Sequence, residues 1–331
     1  MSNEYDEFNS WKTLIYADEC KGILSGKFRP PVVVHIYPTN TCNSNCHFCI
    51  MREERKNEAS IDPRILEGLL QEINNLGTKA VHISGGGEPT LYENLHLIKH
   101  FKGYKVLSTN GIELTPETTS LFDRVRVSIN AGTAVTHAKI TFPSNFDRIV
   151  ANFKVSKEKN PGVQMGLGFV VSDKNWEDIF NVCRLADELH ADFVHIRPAY
   201  FSDPEQDKKI REIIRPAYHL CEAAKQFSKA KLFAISEKFD GYWSPRKYDA
   251  CLASPLHAVV AATGELIVCQ DVFIRFGNLH KQTFSEIWGS DEHKAAIAKI
   301  DISKCPRCVM TKSNEIIKNV FQENKIRMEL L

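Results

Sequence analysis

The sequence carries almost no net charge and no long apolar stretch. Its 42 lysines and arginines nearly balance 41 aspartates and glutamates, so the formal net charge is +1 over 331 residues. No basic stripe or polybasic run is present, which argues against electrostatic binding to nucleic acid or to a membrane surface. No apolar run approaches the roughly 18 to 20 residues that cross a bilayer, and the polar, acidic start of the chain is unlike a signal peptide. We therefore expect a cytoplasmic protein that binds neither nucleic acid nor membrane.

Glycine and proline are also scarce, at 17 and 14 residues, and neither an internal repeat nor a low-complexity stretch is visible. With 43% hydrophobic and 25% charged residues, the composition is that of an ordinary globular protein, which excludes a disordered or fibrous chain. The length suits one large domain or a large domain with a smaller appendage. Ten cysteines in a cytoplasmic protein stay reduced, so their spacing points to metal ligation or catalysis before disulfides.

Short β-branched runs alternate with longer amphipathic stretches from residue 30 onward. The predicted strands are Val32–Tyr37, Ala80–Ser84, Lys105–Ser108, Arg124–Ile129, Val163–Val171 and Phe193–Ile196. The predicted helices cover residues 62–76, 92–101, 115–122, 145–159, 174–190 and 206–228, with Asp62 and Asp173 as N-caps of the first and fifth. This alternation indicates a parallel sheet covered by helices, either an open doubly wound sheet or a curved partial barrel. In both folds the reactive loops lie at the carboxyl ends of the strands.

The alternating pattern breaks near residues 235–245. Beyond the break, the short runs Ala258–Ala262 and Leu266–Val268 flank Thr263 and Gly264 and predict a β-hairpin. We therefore expect three regions: a helix and connector over residues 1–29, an α/β domain over 30–235 and a small C-terminal domain over 236–331.

Three cysteines follow the first predicted strand within eight residues: Cys42, Cys46 and Cys49. In a loop at the carboxyl end of a parallel strand, their thiolates can converge on one soft metal centre. A structural zinc site or a closed iron-sulfur cluster generally uses four protein ligands, whereas three leave one metal position open for a small molecule. His47 is an alternative fourth ligand, although its position between Cys46 and Phe48 does not define where its ring points.

This cysteine motif resembles the signature of the radical S-adenosylmethionine (radical SAM) superfamily, C-x3-C-x2-C with an aromatic residue, here Phe48, before the last cysteine. The resemblance implies a partial (β/α)6 TIM-like barrel and a [4Fe-4S] cluster held by Cys42, Cys46 and Cys49. The fourth iron would bind the amino and carboxylate groups of S-adenosyl-L-methionine (SAM). Reductive cleavage of SAM would then yield a 5'-deoxyadenosyl radical that abstracts a substrate hydrogen. The electron would come from a flavodoxin- or ferredoxin-like donor.

Other strand-end positions agree with that family in the expected order along the chain. Gly85 to Pro89 match its GGEP element, and Glu88 is expected to accept a hydrogen bond from the SAM ammonium group. Taken singly, such glycines also occur in ordinary turns, and a strand-end arginine is more often a surface ion-pair partner. The residues that the resemblance assigns to SAM are Gly86, Gly87, Glu88, Asn110, Ser128, Asn130, Gly168 and Arg197.

A second cysteine group lies near the end of the sequence and comprises Cys251, Cys269, Cys305 and Cys308. Four thiolates suffice to saturate one centre, and their spacing alone suits a zinc ribbon as well as an iron-sulfur cluster. The segment resembles the SPASM and twitch extensions of radical SAM enzymes, with a C-x12-G-x4-C hairpin followed by a CxxC turn. Because no cysteine follows Cys308, the resemblance implies the shortened twitch form with one auxiliary [4Fe-4S] cluster.

The resemblance therefore predicts an enzyme that abstracts hydrogen from an unactivated C–H bond. We expect oxidation of a sugar-like or aminocyclitol small molecule. Epimerisation and modification of a peptide are the alternatives within the superfamily, and a zinc-stabilised binding module is the alternative outside enzymology. The catalytic candidates are Arg197, His195, Cys221 and Tyr200.

Overall fold

The fold was analysed in a computed structural model, which describes residues 9–201, 203–234, 236–305, 308 and 310–323. The first eight residues of the predicted 1–29 region and residue 235, at the predicted domain boundary, lie outside the described residues. Within the described ranges, no helix combines the length and apolar character that crossing a bilayer requires.

Ten of the twelve described strands form one mixed sheet in the order β12-β11-β10-β1-β3-β4-β5-β7-β8-β9. The strands are β1 (Val33–Ile36), β2 (Asn45–Cys46), β3 (Ala80–Ile83), β4 (Tyr104–Thr109), β5 (Arg124–Val127), β6 (Thr141–Phe142), β7 (Gln164–Val171), β8 (Phe193–Pro198), β9 (Lys231–Ala234), β10 (His257–Val260), β11 (Glu265–Cys269) and β12 (Val272–Asn278). All pairs from β1 to β9 in this sheet are parallel, and β10 pairs parallel to β1 before β11 and β12 return antiparallel. The fold is therefore an α/β partial TIM-like barrel whose sheet continues into the C-terminal region.

Helices cover the outer side of the sheet. They are α1 (Ala17–Leu24), α2 (Pro63–Leu76), α3 (Pro116–Ser120), α4 (Ala134–Ile140), α5 (Phe146–Lys159), α6 (Ile179–Glu188), α7 (Pro204–Ala224), α8 (Ser236–Asp240), α9 (Phe284–Ile287), α10 (Asp291–Ala298) and α11 (Thr311–Ile316). Short 3-10 helices are Ser10–Tyr16, Glu54–Asn57, Pro89–Leu91, Leu95–His100, Trp176–Asp178, Ser254–Leu256 and Ile302–Lys304, and a π-helix covers Ile317–Gln322.

Helix α2 illustrates why these segments fold onto the sheet. Leu66, Leu69, Leu70 and Ile73 recur at helical spacing and are all buried. Burying each such side chain contributes about 1.5 to 3 kcal/mol relative to leaving it in water. Asp62 caps the helix as predicted, since its side chain accepts the hydrogen bond of the Arg64 backbone N–H.

Two predicted helices differ from the structure. The stretch predicted as a helix over residues 92–101 contains only the 3-10 helix Leu95–His100, which has no side-chain cap. Asp173 is not an N-cap, because the chain first turns through Ser172 and Asn175 and only then enters the next helices. The Asn175 side-chain oxygen accepts a hydrogen bond from the Ser172 backbone N–H. The Asp173 carboxylate lies instead 3.9 Å from Nε2 of His47.

The C-terminal hairpin is formed by β10 and β11, and Gly264 lies in the left-handed region at φ +77°. Strand β12 was not predicted, because only two residues separate it from β11 and the preceding apolar run. This strand adds an edge to the sheet.

Candidate functional site

A cavity of about 640 Å³ opens among the carboxyl ends of the barrel strands and is lined by cysteines of both groups. Cys42, Cys46 and Cys49 line it from the loop after β1. Cys269 and Cys308 line it from the C-terminal region, at the end of β11 and before α11. The volume lies within the roughly 300 to 1,000 Å³ range of small-molecule sites. Thiols that are separated by more than 200 positions in the sequence therefore face one space.

Hydrogen bonds and a strand pairing hold the first cysteine loop on both sides. The Asn40 side chain donates to the Glu54 carbonyl at 2.9 Å, and Cys46 pairs with Thr141 where β2 meets β6. The Thr141 hydroxyl donates to the Cys46 sulfur at 3.6 Å, and Arg55 reaches the Cys49 sulfur at 3.9 Å. The loop thus presents its thiols in a defined place beside hydroxyl and guanidinium donors.

The thiols of this loop lie close enough to affect one another. Burial raises the pKa of Cys42, and burial also raises that of Cys46 to about 11, with neighbouring cysteines contributing in the same direction. Such mutual repulsion of thiolates is relieved when a cation binds them. Among the described residues, no three His, Cys, Asp or Glu side chains surround a single-ion position. A cubane cluster does not require one, because each thiolate ligates a different iron.

The glycine-rich loop after β3 packs directly on the cysteine loop. Gly87 and Glu88 donate their backbone N–H groups to the carbonyls of Thr39 and Thr41, each at 2.8 Å. A Cβ on Gly87 would lie 2.0 Å from the Thr41 carbonyl oxygen. The approach of these two backbones therefore requires glycine at position 87.

Glu88 is buried and holds the neighbouring strand end. Its carboxylate accepts hydrogen bonds from the Thr109 hydroxyl at 2.6 Å and from the Asn110 backbone N–H at 2.7 Å, as well as from Thr90. Burial raises the pKa of Glu88, whereas these hydrogen bonds lower it. The Asn110 side chain continues the network to Asn43, at 2.7 Å, inside the cysteine loop.

Asn130 is already bonded within the protein. It adopts a positive φ of 59°, its amide oxygen accepts the Val170 N–H at 2.9 Å, and its amide nitrogen donates to the Ser128 carbonyl at 2.9 Å. Asn130 and Ser128 line the cavity at the end of β5, and the side chain of Asn130 also ties β5 to β7. Binding of SAM by these two residues stays a prediction.

Most residues predicted to bind SAM face the same cavity. Those lining it are Gly86, Gly87, Glu88, Asn110, Ser128, Asn130 and Arg197. Gly168 is not among the lining residues, and a Cβ there would meet the Cγ and Cδ atoms of Arg126 at 3.3 Å. The lack of a side chain at Gly168 makes room for Arg126, and contact of Gly168 with SAM stays a prediction.

The catalytic candidates divide in the same way. His195, Arg197 and Tyr200 line the cavity. Cys221 does not, because it lies on the inner face of α7, fully buried in the hydrophobic core, where burial raises its pKa strongly. We therefore correct its predicted catalytic role. Cys221 lies on the apolar face of the helix, and that face packs into the core.

Sequence reasoning missed three cavity-lining residues: Arg126, Lys238 and Asp271. Arg126 donates to Nδ1 of His195 at 2.7 Å. Burial, followed by repulsion from Arg197 and Arg124, lowers the pKa of Arg126 to about 9, so it stays charged at neutral pH. Alternation in the β5 sequence places residues 124, 126 and 128 on one face, and that was the signal that would have indicated Arg126.

The second cysteine group is assembled by side chains from distant segments. Arg246 donates to the carbonyls of Ile302 and Cys305, each at 2.6 Å, and Asn314 accepts the backbone N–H groups of Leu252 and Ala253. Burial raises the pKa of Cys305 and of Cys308, and Cys251 adds to the shift in both. The four cysteines named from the sequence are therefore brought together.

Two family models match the chain. Residues 36–186 match the Radical SAM superfamily, and residues 251–309 match SPASM, an iron-sulfur cluster-binding domain. The chain is a radical SAM enzyme with a C-terminal SPASM-like domain. The radical SAM domain uses SAM and a [4Fe-4S] cluster, and the SPASM domain carries auxiliary iron-sulfur chemistry.

Curated relatives of this radical SAM enzyme include proteins with different substrates. The chain is 27% identical over 287 residues to an AdoMet-dependent heme synthase of Methanosarcina barkeri, covering 77% of this chain and 81% of that protein. It is 30% identical over 177 residues to a probable GTP 3',8-cyclase of Saccharolobus islandicus, covering 51% of this chain. The match spans 57% of the cyclase, so the chain corresponds to little more than half of that relative.

Solved structures share the fold of this radical SAM enzyme. Streptococcus suis SuiB bound to S-adenosylmethionine gives a TM-score of 0.68 at 15% identity, covering 96% of this chain and 81% of that chain. The structure of anSMEcpe with bound AdoMet and Cp18Cys peptide gives 0.61 at 16% identity, covering 86% and 88%.

The donor set fits the family's cofactors. Cys42, Cys46 and Cys49 converge from one loop, and three thiolates leave a cluster position for SAM. Cys251, Cys269, Cys305 and Cys308 would supply the four ligands of one auxiliary cluster. All seven of these cysteines are free thiols.

Proposed function

We propose that this radical SAM enzyme oxidises a polar, sugar-like or cyclitol-like small molecule at a C–H bond. The observation that carries the proposal is the shared cavity, which is lined by thiols of both cysteine groups. A substrate in this space lies between the site of hydrogen abstraction and the auxiliary site. An electron can therefore pass directly from the substrate to the auxiliary site. Shielding by the cavity also keeps water from a reactive intermediate.

The chemistry balances as a two-electron oxidation. A [4Fe-4S] cluster held by Cys42, Cys46 and Cys49 would supply the electron for reductive cleavage of SAM, and an auxiliary cluster held by the second cysteine group would accept an electron from the substrate. The substrate would give up one hydrogen atom to 5'-deoxyadenosine, one electron to the auxiliary cluster and one proton to solvent. The chain's own residues bind and orient the substrate, and they exclude water.

His195 is a poor base for the proton. Burial, with repulsion from Arg126 and Arg197, lowers its pKa well below 6.5, and its Nδ1 already accepts the Arg126 hydrogen bond. Its role is therefore to hold Arg126 in place. The Arg197 side chain is positively charged and is likewise unsuited to accept a proton.

The first experiment tests the radical SAM chemistry. After anaerobic reconstitution, we expect about eight irons and eight sulfides per chain and reductive formation of 5'-deoxyadenosine from SAM. Cys42→Ala is expected to abolish that product, whereas the matched variant Cys183→Ala, which removes a buried core thiol, is expected to retain it. Stoichiometric zinc without sulfide would instead support a structural zinc module.

The second experiment tests the oxidation. Deuterated sugars, aminocyclitols, short peptides and, because of the heme synthase relative, tetrapyrroles are incubated with enzyme and SAM, and deuterium is followed into 5'-deoxyadenosine. The expected substrate transfers deuterium and gains a carbonyl or double bond. In Cys269→Ala, transfer should persist while the oxidised product is lost. A product that is only inverted in configuration would establish epimerisation, and transfer from peptides alone would establish a peptide-modifying enzyme.

A further inference from the structure

Three basic side chains from three elements meet in the cavity. Arg126 comes from β5, Arg197 from β8 and Lys238 from α8, and all three are cavity-lining residues. Because they line one cavity, the three groups share one space; burial, and in addition repulsion from Arg197, lowers the pKa of both Arg126 and Lys238. We refer to Arg126, Arg197 and Lys238 as the cationic cluster.

Carboxylates are few around the cationic cluster. Among the described residues that line the cavity, the carboxylates are Glu88 and Asp271. Glu88 is committed to the hydrogen bonds of Thr90, Thr109 and Asn110. Burial lowers the pKa of Arg197 and of Lys238, and the Asp271 carboxylate opposes that shift in both, so one carboxylate acts on two of the three cations.

Arg126 is the cation without an acidic neighbour. Within the described chain, no ion pair joins it to Asp or Glu, and its hydrogen bond goes to neutral His195 at 2.7 Å. Its pKa is affected by burial and by other arginines alone. A buried, uncompensated charge costs several kcal/mol, which an anionic ligand offsets on binding.

The cofactors do not account for Arg126. Lys238 lines the cavity together with Cys269 and Cys308, so an auxiliary cluster with its thiolate ligands would compensate that lysine. No thiol affects Arg126. Bound SAM has a single carboxylate, which Arg197 and the strand-end residues would bind. At least one cation of the cationic cluster is then left for the substrate.

The guanidinium of Arg126 is also held in a fixed orientation in which it can bind an oxyanion. One Nη1–H bond goes to His195, and Gly168 leaves the space that the Arg126 stem occupies. The remaining N–H groups of the planar fork match the two oxygens of a carboxylate or phosphate.

We propose that the substrate carries an anionic carboxylate or phosphate group that binds Arg126, with Arg197 and Lys238 completing the cationic cluster. This inference rests on the proposed function only in taking the cavity to be the substrate site. It narrows the substrate from any polar molecule to an anionic one, and it assigns Arg126 as the residue that selects it.

The test uses the cluster-reconstituted enzyme saturated with SAM, at constant ionic strength. Calorimetric titrations are run with succinate, with inorganic phosphate and with the neutral analogue succinamide. We expect saturable binding of at least one anion and none of succinamide. Arg126→Met should weaken anion binding by about tenfold to a hundredfold, as expected for losing a charged hydrogen-bond partner.

Arg148→Met is the matched control, since Arg148 forms an exposed ion pair with Glu113 and does not line the cavity. It should bind the anions as wild type does. Arg126→Lys keeps the charge and loses the fork, so its affinity should fall between the two. If Arg126→Met does not fold with full iron content, Arg197→Gln takes its place, with a weakening in the same direction expected.

Three results would overturn the inference: wild-type enzyme that binds neither anion, anion binding that is unchanged in Arg126→Met, or binding of succinamide as tight as that of succinate. Preference for phosphate would identify a phosphorylated substrate, and preference for succinate a carboxylate. Because the titration does not require turnover, wild-type enzyme that cleaves SAM but binds neither anion removes this inference alone. Failure of SAM cleavage bears on the proposed function instead.

Discussion

Arg126 donates a hydrogen bond from Nη1 to Nδ1 of His195, over 2.7 Å, between two strands that are not neighbours in the sheet. Strand β7 lies between them and carries Gly168, where a side chain would press on the arginine. Since guanidinium groups only donate, His195 must accept through Nδ1 and carry its proton on Nε2. The pair fixes both the tautomer of the histidine and the direction of the guanidinium.

His195→Phe should therefore be destabilising. The substitution leaves the Arg126 guanidinium without its acceptor, and we expect a loss of about 1 to 3 kcal/mol in the free energy of unfolding. His195→Gln keeps an acceptor oxygen and should lose less. Thermal unfolding of the two variants in the same buffer checks which variant loses more stability. Equal losses would show that the shape of the side chain, and not its hydrogen bond, determines the stability.

Gly87→Ala should impair the first cluster. The added Cβ would lie 2.0 Å from the Thr41 carbonyl oxygen, so the glycine-rich loop and the cysteine loop must separate. We expect iron content to fall from about eight toward four per chain and SAM cleavage to be lost. Gly162→Ala is the control, because nothing lies within 4 Å of its added Cβ. Full iron content in Gly87→Ala would contradict this account of the loop contact.

The fold could be predicted, and candidate cluster ligands could be named, because their signals are local. Each predicted parallel strand is a β-branched run whose burial follows from its own residues, and Cys42, Cys46 and Cys49 lie within eight positions of one another. Asp62 likewise marks its helix start through a contact two residues away.

The interior of the barrel could not be read in this way. Arg126, His195 and Lys238 meet only after β5, β8 and α8 are assembled, and no spacing in the sequence encodes that meeting. Gly168 suggested a ligand contact because a missing side chain signals close approach, but the approaching group is Arg126. Cys221 shows the same limit, since an amphipathic pattern predicts burial and not the distance to a cavity.

Asn314→Ala should selectively weaken the auxiliary site. Asn314 is almost fully buried and accepts the backbone N–H groups of Leu252 and Ala253 at 2.6 and 3.0 Å, next to Cys251. Removing it leaves both donors unsatisfied, at a cost of about 1 to 3 kcal/mol each. We expect loss of roughly four irons with SAM cleavage retained. Asn319→Ala, which removes a single bond to the Glu315 carbonyl, should keep both clusters.

His293 makes the stability of the C-terminal region depend on pH. It is buried, stacks on Phe276 with ring centroids 4.1 Å apart and accepts the Gly289 N–H at 3.1 Å. Burial lowers its pKa from 6.5 to about 3. Between these two pH values the unfolded chain binds a proton that the folded chain does not, so the stability contribution is complete above pH 6.5 and declines as the pH falls.

At pH 5.5 this effect amounts to about 1.4 kcal/mol, or a fall of about 2 °C in the unfolding midpoint relative to pH 7.5. His293→Gln removes the titrating group, so its midpoint should change less over the same interval, whatever its starting value. His96→Gln, at an exposed position, should keep the wild-type dependence. Thermal scans at one fixed rate provide the comparison, since cluster loss makes unfolding irreversible. Because the other buried histidines titrate equally in both proteins, the difference in slope isolates His293, and identical slopes would mean that its pKa is the same in the folded and the unfolded chain.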